Sequence, residues 1–326
     1  MSFARCLKTT ARAVGEASDL APEDARRLFG AMLDGGVPEL ELGALLVAFR
    51  MKGESIGELL GFYRALAERV HQLAPPPIDP RPVVLGSYDG AHTRPNLTPL
   101  VALWLRRIGV PALVHGTLEG HGLVASAYIL RELGVFPCIS LAQVHERLHS
   151  EKLAFVPTAV LAPGLASLLA LRSRLGGGSI AHSVAKLIDP FRGRSLRLVG
   201  ASSAGELARV REIFLATGER AMVFRGTEGE PYADPRRRPR IEYLDRGGAE
   251  VLFPEEHAPQ DPFAGSPDAV GAKATAAYIR NALEGAVPLP LPIANQIACC
   301  LYGAGLTPDL NQAKALVAVH GHTLMA

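Results

Sequence analysis

The chain has 326 residues, of which 48% are hydrophobic and 20% charged, with a formal net charge of +2 at pH 7. This composition excludes a largely disordered chain and is typical of a compact globular protein with one large or two modest domains. The apolar run from Ala159 to Leu171 is shorter than the roughly 20 residues that cross a bilayer. Arg5, Lys8 and Arg12 interrupt the N-terminus where a secretory signal would be apolar. We therefore expect a cytoplasmic protein that does not bind a membrane.

The cysteines and histidines do not form a complete set of metal ligands in the sequence. The four cysteines are Cys6, Cys138, Cys299 and Cys300, with no CxxC motif among them. His145 and His149 lie four residues apart, but no third ligand follows them in a metal-binding pattern. We expect buried free thiols, and we expect neither a metal ion nor a cofactor.

The first 74 residues have the pattern of an all-α domain. Pro22 begins a predicted helix that ends at Gly35-Gly36. Ser55 and Glu58 have the spacing of a capping box and predict the start of a later helix. Prolines at positions 75–77, 80 and 82 end this unit, because proline cannot continue a helix.

Beyond the prolines, short apolar strands alternate with helices, which is typical of a largely parallel α/β sheet. The predicted strands are Val83–Gly86, Ala112–Val114, Leu196–Val199 and Ala221–Phe224, and the predicted helices include Leu97–Ile108 and Leu123–Leu133. Arg240–Leu244 and Val251–Phe253 predict a hairpin, and a helical region follows from about Asp268. Residues 80–326 are expected to form the α/β domain. Two predicted helices between Leu161 and Leu187, broken at Gly176-Gly177-Gly178, are expected to join the helical domain at residues 163–188.

Several motifs resemble those of the anthranilate phosphoribosyltransferase family. Gly43 to Ser55 resembles part of its helical domain, with Lys52-Gly53-Glu54 in the place of its Lys-Gly-Glu signature. The other resembling segments are Asn96-Leu97-Thr98-Pro99, Gly109 to Gly116 and Arg172 to Gly176. The resemblance implies a small N-terminal all-α domain plus a larger α/β domain with a mostly parallel central sheet, as in nucleoside phosphorylases and phosphoribosyltransferases. It also implies a homodimer formed through the helical domain.

The resemblance also implies a phosphoribosyl pyrophosphate site, which is degenerate in this chain. The family's Gly-Thr-Gly-Gly-Asp loop is replaced by Gly86-Ser87-Tyr88-Asp89-Gly90. Tyr88 and Asp89 are expected to fill this loop, and the added carboxylate is expected to repel pyrophosphate. The other members of the degenerate site are Asn96, Thr98, His115 and Gly116, without the family's Lys and Asn beside the last two. The family's adjacent Asp-Glu pair, which holds magnesium, is missing from the segment Thr227 to Tyr232, where no two carboxylates are adjacent, so we expect no catalytic residues.

Basic residues are concentrated between Arg172 and Arg246. This segment contains 15 Lys and Arg residues but only nine Asp and Glu residues. Guanidinium groups suit phosphate, so three clusters are candidate nucleic-acid contacts. These clusters are Arg172 with Arg174; Arg192 with Arg194 and Arg197; and Arg236, Arg237, Arg238 and Arg240. Gly226 to Pro231 resembles the branch of the family known as YbiB proteins, which implies a dimer that binds nucleic acid with little sequence preference through a basic groove. We therefore expect DNA, and RNA as well, as partners of a homodimer.

Tyr88, Tyr232, Tyr243 and Trp104 are candidates to stack on bases, although Trp104 lies among leucines and is expected in the core. Two other functions stay open. One is a phosphoribosyltransferase or phosphorylase with an altered sugar-phosphate substrate, in which Arg172 is retained. The other is a protein-interaction scaffold whose basic face meets an acidic partner.

Overall fold

A computed structural model describes residues 3–10, 18–74, 80–120, 122–256, 267 and 270–322. The chain divides into two compact units, one comprising Met1–Gln72 with Thr158–Pro190 and the other Leu73–Pro157 with Phe191–Ala326. Among the residues that the structure describes, no helix has both the length and the apolar character needed to span a membrane. The proline-rich stretch at 75–79 and the predicted helix start at position 268 lie outside the described residues.

In the part of the first unit that the structure describes, the regular secondary structure is helical. Its helices are α1 (Phe3–Thr10), α2 (Pro22–Leu33), α3 (Glu39–Lys52), α4 (Ile56–Ala67), α8 (Thr158–Leu161), α9 (Pro163–Ala170), α10 (Arg172–Leu175) and α11 (Ile180–Ala185). The capping box at the start of α4 is present, since the Ser55 side chain accepts from the Glu58 backbone and the Glu58 side chain accepts from the Ser55 backbone. In place of the two helices predicted between Leu161 and Leu187, the structure has three short ones, α9, α10 and α11, and the glycines at 176–178 separate the last two.

The second unit contains a seven-stranded sheet. Its strands are β1 (Val83–Ser87), β2 (Ala112–Gly116), β3 (Leu153–Pro157), β4 (Leu196–Ala201), β5 (Ala221–Arg225), β6 (Ile241–Asp245) and β7 (Gly248–Phe253), in the order β3-β2-β1-β4-β5-β6-β7. The first five strands in that order are parallel, whereas β6 and β7 pair antiparallel as the predicted hairpin. The predicted fold class, a helical domain with a larger, mostly parallel α/β domain, is therefore confirmed.

Helices cover the sheet and supply its core. They are α5 (Thr98–Ile108), α6 (Ser126–Glu132), α7 (Leu141–Ser150), α12 (Ala204–Thr217), α13 (Ala272–Glu284), α14 (Leu291–Gly303) and α15 (Leu310–His322). Trp104 is 1% exposed and belongs to this core, as predicted. All four cysteines are buried free thiols, and burial raises the pKa of Cys300 to about 12.

Parallel strands bring their carboxyl ends to one edge of the sheet, which we call the carboxyl edge. Ser87, Gly116 and Ala201 end β1, β2 and β4 at this edge, and Arg225 ends β5 beside them. Register fixes this arrangement, since Ser87 is opposite Gly116 and Ala201 is opposite Arg225. In open α/β sheets, ligands bind outside this edge.

Candidate functional site

The loop that follows β1 is closed around the carboxylate of Glu230. One carboxylate oxygen accepts the backbone N–H groups of Asp89 at 2.9 Å and of Gly90 at 2.8 Å. Glu230 itself is 1% exposed, so its charge is removed from bulk water. Backbone N–H groups that converge on one point form an anion-binding concavity, and here the anion is a side chain of the same protein.

Side chains supply the remaining contacts to Glu230. Its second carboxylate oxygen is 2.5 Å from the Ser87 hydroxyl, 3.1 Å from the Thr98 hydroxyl and 3.4 Å from the Asn96 amide nitrogen. The Ser87 hydroxyl also lies 2.8 Å from the Ser126 hydroxyl. A hydroxyl has one proton, so Ser87 donates to the carboxylate and accepts from Ser126.

Two glycines allow the backbone of Glu230 to come this close to the sheet. A Cβ at Gly200, in β4, would lie 2.3 Å from the carbonyl oxygen of Glu230, and one at Gly226 would lie 2.1 Å from the same atom. Real Cβ atoms do not approach carbonyl oxygens so closely, so any side chain at either position would displace the segment. The glycines therefore fix where the Glu230 carboxylate can reach.

Glu228 occupies a second set of donors in the same loop. Its carboxylate accepts the backbone N–H groups of His92 at 2.8 Å and of Thr93 at 2.9 Å, together with the Thr93 hydroxyl. Glu228 has a φ of 54°, a left-handed conformation that costs a non-glycine residue about 1–3 kcal/mol. The two carboxylates together fasten the segment after β5 onto the loop after β1.

The family's magnesium ion does not fit the residues present. Glu228, at the position of the missing Asp-Glu pair, has its carboxylate directed at backbone N–H donors, which is the opposite of an arrangement that holds a cation. Within the described ranges, no group of three or more His, Cys, Asp and Glu side chains is placed to hold a metal ion.

Tyr88 does not fill the loop as the sequence predicted. Its ring is 5% exposed and turns inward, where the hydroxyl lies 2.7 Å from Nδ1 of His115. Burial lowers the pKa of His115 to about 3, so the imidazole is neutral at pH 7. The group that occupies the loop is Glu230, which the sequence analysis missed. Its signal was an acidic residue shortly after a strand end at the carboxyl edge.

The other aromatic candidates differ in accessibility. Tyr232 is 1% exposed and its hydroxyl donates to the Pro95 carbonyl, so it cannot stack on an external base. Trp104 is equally buried. Tyr243 is partly buried in β6 and packs edge-on against Tyr302.

The structure separates the members of the strip Arg236, Arg237, Arg238 and Arg240. Arg237 is exposed and Arg236 is half-buried, 3.9 Å from Asp234. Two members have close acidic partners of their own. Arg238 lies 3.5 Å from Glu256 and over the ring of Phe253, while Arg240 lies 2.5 Å from Glu242.

Arg237 joins two arginines that the sequence analysis did not single out. Arg94, Arg225 and Arg237 line one polar cleft of about 310 Å³ at the carboxyl edge, which we call the arginine cleft. They come from the loop after β1, the end of β5 and the segment before β6. Arg225 directly follows a predicted strand, which was the available signal.

The second predicted cluster lies elsewhere. Arg192 and Arg194 are exposed just before β4, at the opposite edge of the sheet, about 17 Å from the carboxyl edge for a six-residue strand. The structure does not support a nucleic-acid contact by Arg197. This side chain is 1% exposed, bonded to Glu219 at 2.7 Å and stacked over Phe214, so it is a structural ion pair.

The third cluster belongs to the helical unit. Arg172 is partly buried at the start of α10, and Arg174 is exposed on the same short helix, 4.0 Å from Glu39. The two residues are therefore neighbours of each other within the helical unit, whereas the other clusters belong to the α/β unit.

Comparisons with known proteins place the chain in a family. Residues 8–70 match the helical bundle domain of the glycosyl transferase family. The chain is 38% identical over 321 residues to the uncharacterized protein YbiB of Escherichia coli, covering 97% of this chain and 99% of that protein. It is 28% identical over 306 residues to an anthranilate phosphoribosyltransferase of Thermus thermophilus, covering 91% and 89%.

The fold comparison agrees with the sequence comparison. The crystal structure of anthranilate phosphoribosyltransferase from Thermus thermophilus superposes with a TM-score of 0.77 and 24% identity, over 99% of this chain and 96% of that one. This likeness covers both units of the chain. The chain therefore belongs to the anthranilate phosphoribosyltransferase-like family, which has the glycosyltransferase family 3 fold and also contains YbiB.

Proposed function

We propose that this protein binds nucleic acid, both DNA and RNA, without strong sequence preference, and that it does not transfer phosphoribosyl groups. The observation that carries the proposal is the Glu230 carboxylate inside the anion-binding loop. Pyrophosphate could enter only by breaking at least five hydrogen bonds to that carboxylate. The carboxylate would also repel it.

The arginine cleft supports the binding half of the proposal. Arg225 and Arg237 are exposed there, and Arg94 keeps about a third of its side chain exposed. Guanidinium groups on an open edge can neutralise backbone phosphates, and nothing in their arrangement selects a base. The cytoplasm remains the proposed location, on the sequence alone.

The homodimer is part of the same proposal. Helix α3 exposes Leu40 and Met51, which are 82% and 69% accessible, with Ala44 and Val47 between them. Spacings of four, three and four residues place all of these on one helix face. An apolar face of this kind fits a second copy of the chain, and a homodimer carries two arginine clefts.

Fluorescence anisotropy of labelled 20-nucleotide DNA and RNA, at 50 and 200 mM NaCl, tests the binding proposal. We expect sequence-indifferent binding whose log affinity falls against log salt on duplex DNA, with a slope of about −0.9 for each phosphate that a subunit contacts. An Arg225→Ala/Arg237→Ala variant should bind more weakly and reduce that slope. An Arg106→Ala/Arg131→Ala variant removes the same charge from exposed positions on α5 and α6 and should bind like the wild type.

An enzyme with an altered sugar-phosphate substrate is the second candidate. It is favoured by one observation, namely that the donors of the anion loop are all retained around Glu230. A phosphate could use them if the segment that carries Glu230 withdrew. Consumption of phosphoribosyl pyrophosphate by the wild type, or heat of binding in a calorimetric titration with it, would favour this function over the first.

A further inference from the structure

The arginine cleft contains an acidic side chain, Glu228, which can compete with an external anion. Arg94, Arg225 and Arg237 surround it, and the carboxylate of Glu228 lines the same cleft. That carboxylate accepts the two consecutive backbone N–H groups of His92 and Thr93 and the Thr93 hydroxyl. The cleft thus combines guanidinium groups with a set of hydrogen-bond donors that already holds an anion.

The donors are accessible from solvent. His92 and Thr93 are both exposed, in contrast to the buried donors that hold Glu230. Water or an external anion can therefore replace the Glu228 carboxylate without opening the core. Glu228 is the partly exposed residue of the short Thr227–Gly229 turn, whose other two residues are buried, so its side chain can leave on the solvent side.

The remaining acidic groups of the cleft are placed differently. Asp234 lies 3.4 Å from the Arg94 guanidinium and 3.9 Å from that of Arg236, so it bridges two cations. Glu255 lines the cleft but does not contact the His92 and Thr93 donors. Glu228 is thus the carboxylate that occupies the position where a phosphate oxygen would find backbone N–H groups.

We propose that the arginine cleft binds one backbone phosphate group of a nucleic-acid strand, and that this phosphate displaces the Glu228 carboxylate from the His92 and Thr93 donors. The inference rests on the proposed nucleic-acid-binding function and names its contact point. A phosphate diester presents two oxygens with one negative charge, so it can accept both N–H groups while its charge faces the guanidiniums. Displaced Glu228 is then exposed to water.

The test compares two acidic residues of the same cleft in the full-length protein. Glu228→Ala and Glu255→Ala each remove one negative charge, but only the first frees the backbone donors. Affinity for a labelled 20-nucleotide single-stranded DNA, measured by anisotropy at 100 mM NaCl, should rise about tenfold for Glu228→Ala and about twofold for Glu255→Ala. Glu228→Gln removes the charge but keeps an oxygen that can accept from the His92 and Thr93 donors, so its affinity should lie between those of the two alanine variants. An intermediate affinity distinguishes competition for the donors from a folding defect.

A second arm uses the arginines and a small probe. Arg225→Ala/Arg237→Ala in the Glu228→Ala background should remove the gain in affinity. Deoxyadenosine 5′-monophosphate at millimolar concentration should compete with the DNA more effectively for Glu228→Ala than for the wild type. In that variant the single phosphate group can bind the His92 and Thr93 donors, which Glu228 no longer occupies.

Each outcome separates the inference from the function on which it rests. Equal affinity gains for Glu228→Ala and Glu255→Ala would show that only general charge matters, and would overturn the displacement. If the Arg225→Ala/Arg237→Ala variant binds nucleic acid with the affinity of the wild type, the cleft is not the contact point, although the protein still binds nucleic acid. Absence of binding by the wild type at 50 mM NaCl would overturn the proposed function and the inference together.

Discussion

Replacing Glu230 by alanine should destabilise the α/β unit and create a phosphate-dependent protein. In the Glu230→Ala variant Asn96 keeps the Val124 carbonyl as an acceptor and Ser87 can turn to Ser126. The N–H groups of Asp89 and Gly90 and the Thr98 hydroxyl lose their acceptor. A buried donor without a partner costs about 1–3 kcal/mol, and water in the vacated space keeps each cost near the lower value. The expected loss is therefore about 3 kcal/mol, or about 6–12 °C in Tm for a unit of this size.

An inorganic anion should reverse most of that loss. If phosphate binds the vacated donors with a Kd a hundredfold below its concentration, linkage stabilises the folded state by about 2.7 kcal/mol. The wild type should gain nothing from this site, because Glu230 already fills it. Glu230→Gln is the matched control, since its carbonyl oxygen can face Asp89 and Gly90 while its amide faces hydroxyls able to accept.

Differential scanning fluorimetry in 10 mM phosphate, against chloride at equal ionic strength, measures the effect. We expect phosphate to raise the Tm of Glu230→Ala by several degrees more than that of either the wild type or Glu230→Gln. The same phosphate shift in all three proteins, or a Glu230→Ala variant as stable as the wild type, would refute the assignment of Glu230 as an internal anion.

Three further predictions concern stability and assembly. Lys52→Met should destabilise the helical unit by about 3–5 kcal/mol in urea unfolding followed by circular dichroism, because it leaves the fully buried Glu58 carboxylate without its ammonium partner at 2.6 Å; a loss below about 1 kcal/mol would contradict a structural role for that pair. Because the pKa of His115 is lowered to about 3 in the folded state, the unfolded chain binds a proton at this residue first as the pH falls through 6.5. Wild-type stability should therefore drop by about 1.6 kcal/mol from pH 6.5 to pH 5. In His115→Gln the free energy of unfolding should decrease less between the two pH values, by the contribution of His115. If it decreases as much as in the wild type, other groups cause the pH dependence. We expect size-exclusion chromatography with light scattering to show a dimer for the wild type and a monomer for Leu40→Asp/Met51→Asp, and a dimeric variant would exclude this face of α3.

Local signals explain why much of the fold could be predicted. The capping box at Ser55 lies within one helical turn, and the strand at Val83 has an apolar run bounded by proline and a glycine-containing loop. The strand β3 was missed, because five residues buried on both faces show no period that separates a strand from a buried helix. Its identity depends on pairing with β2, which sequence alone does not supply.

The candidate site could not be predicted in full, because it is formed by contacts between residues that are far apart in the sequence. Glu230 is 141 residues from Asp89 along the chain, so the sequence showed the damaged loop without showing what replaced its ligand. The surroundings of the arginine strip could not be predicted for a related reason. Its residues are adjacent in sequence, yet Arg238 and Arg240 point to acidic partners whose positions depend on the hairpin β6–β7 and the residues after it.

One segment connects the closed loop to the exposed arginines. Arg225 ends β5, Glu228 and Glu230 follow within five residues, and Arg237 stands just beyond them. Glu230 is directed inward and completes a buried set of donors that would be unsatisfied if the loop were empty, whereas Arg225 and Arg237 are directed outward beside it. The closed loop and the arginine cleft therefore both depend on this one segment. Glu230 completes the buried set of donors, whereas Glu228 lines the cleft with Arg225 and Arg237. A substitution at Glu230 tests the closed loop, and one at Glu228 tests the proposed phosphate contact.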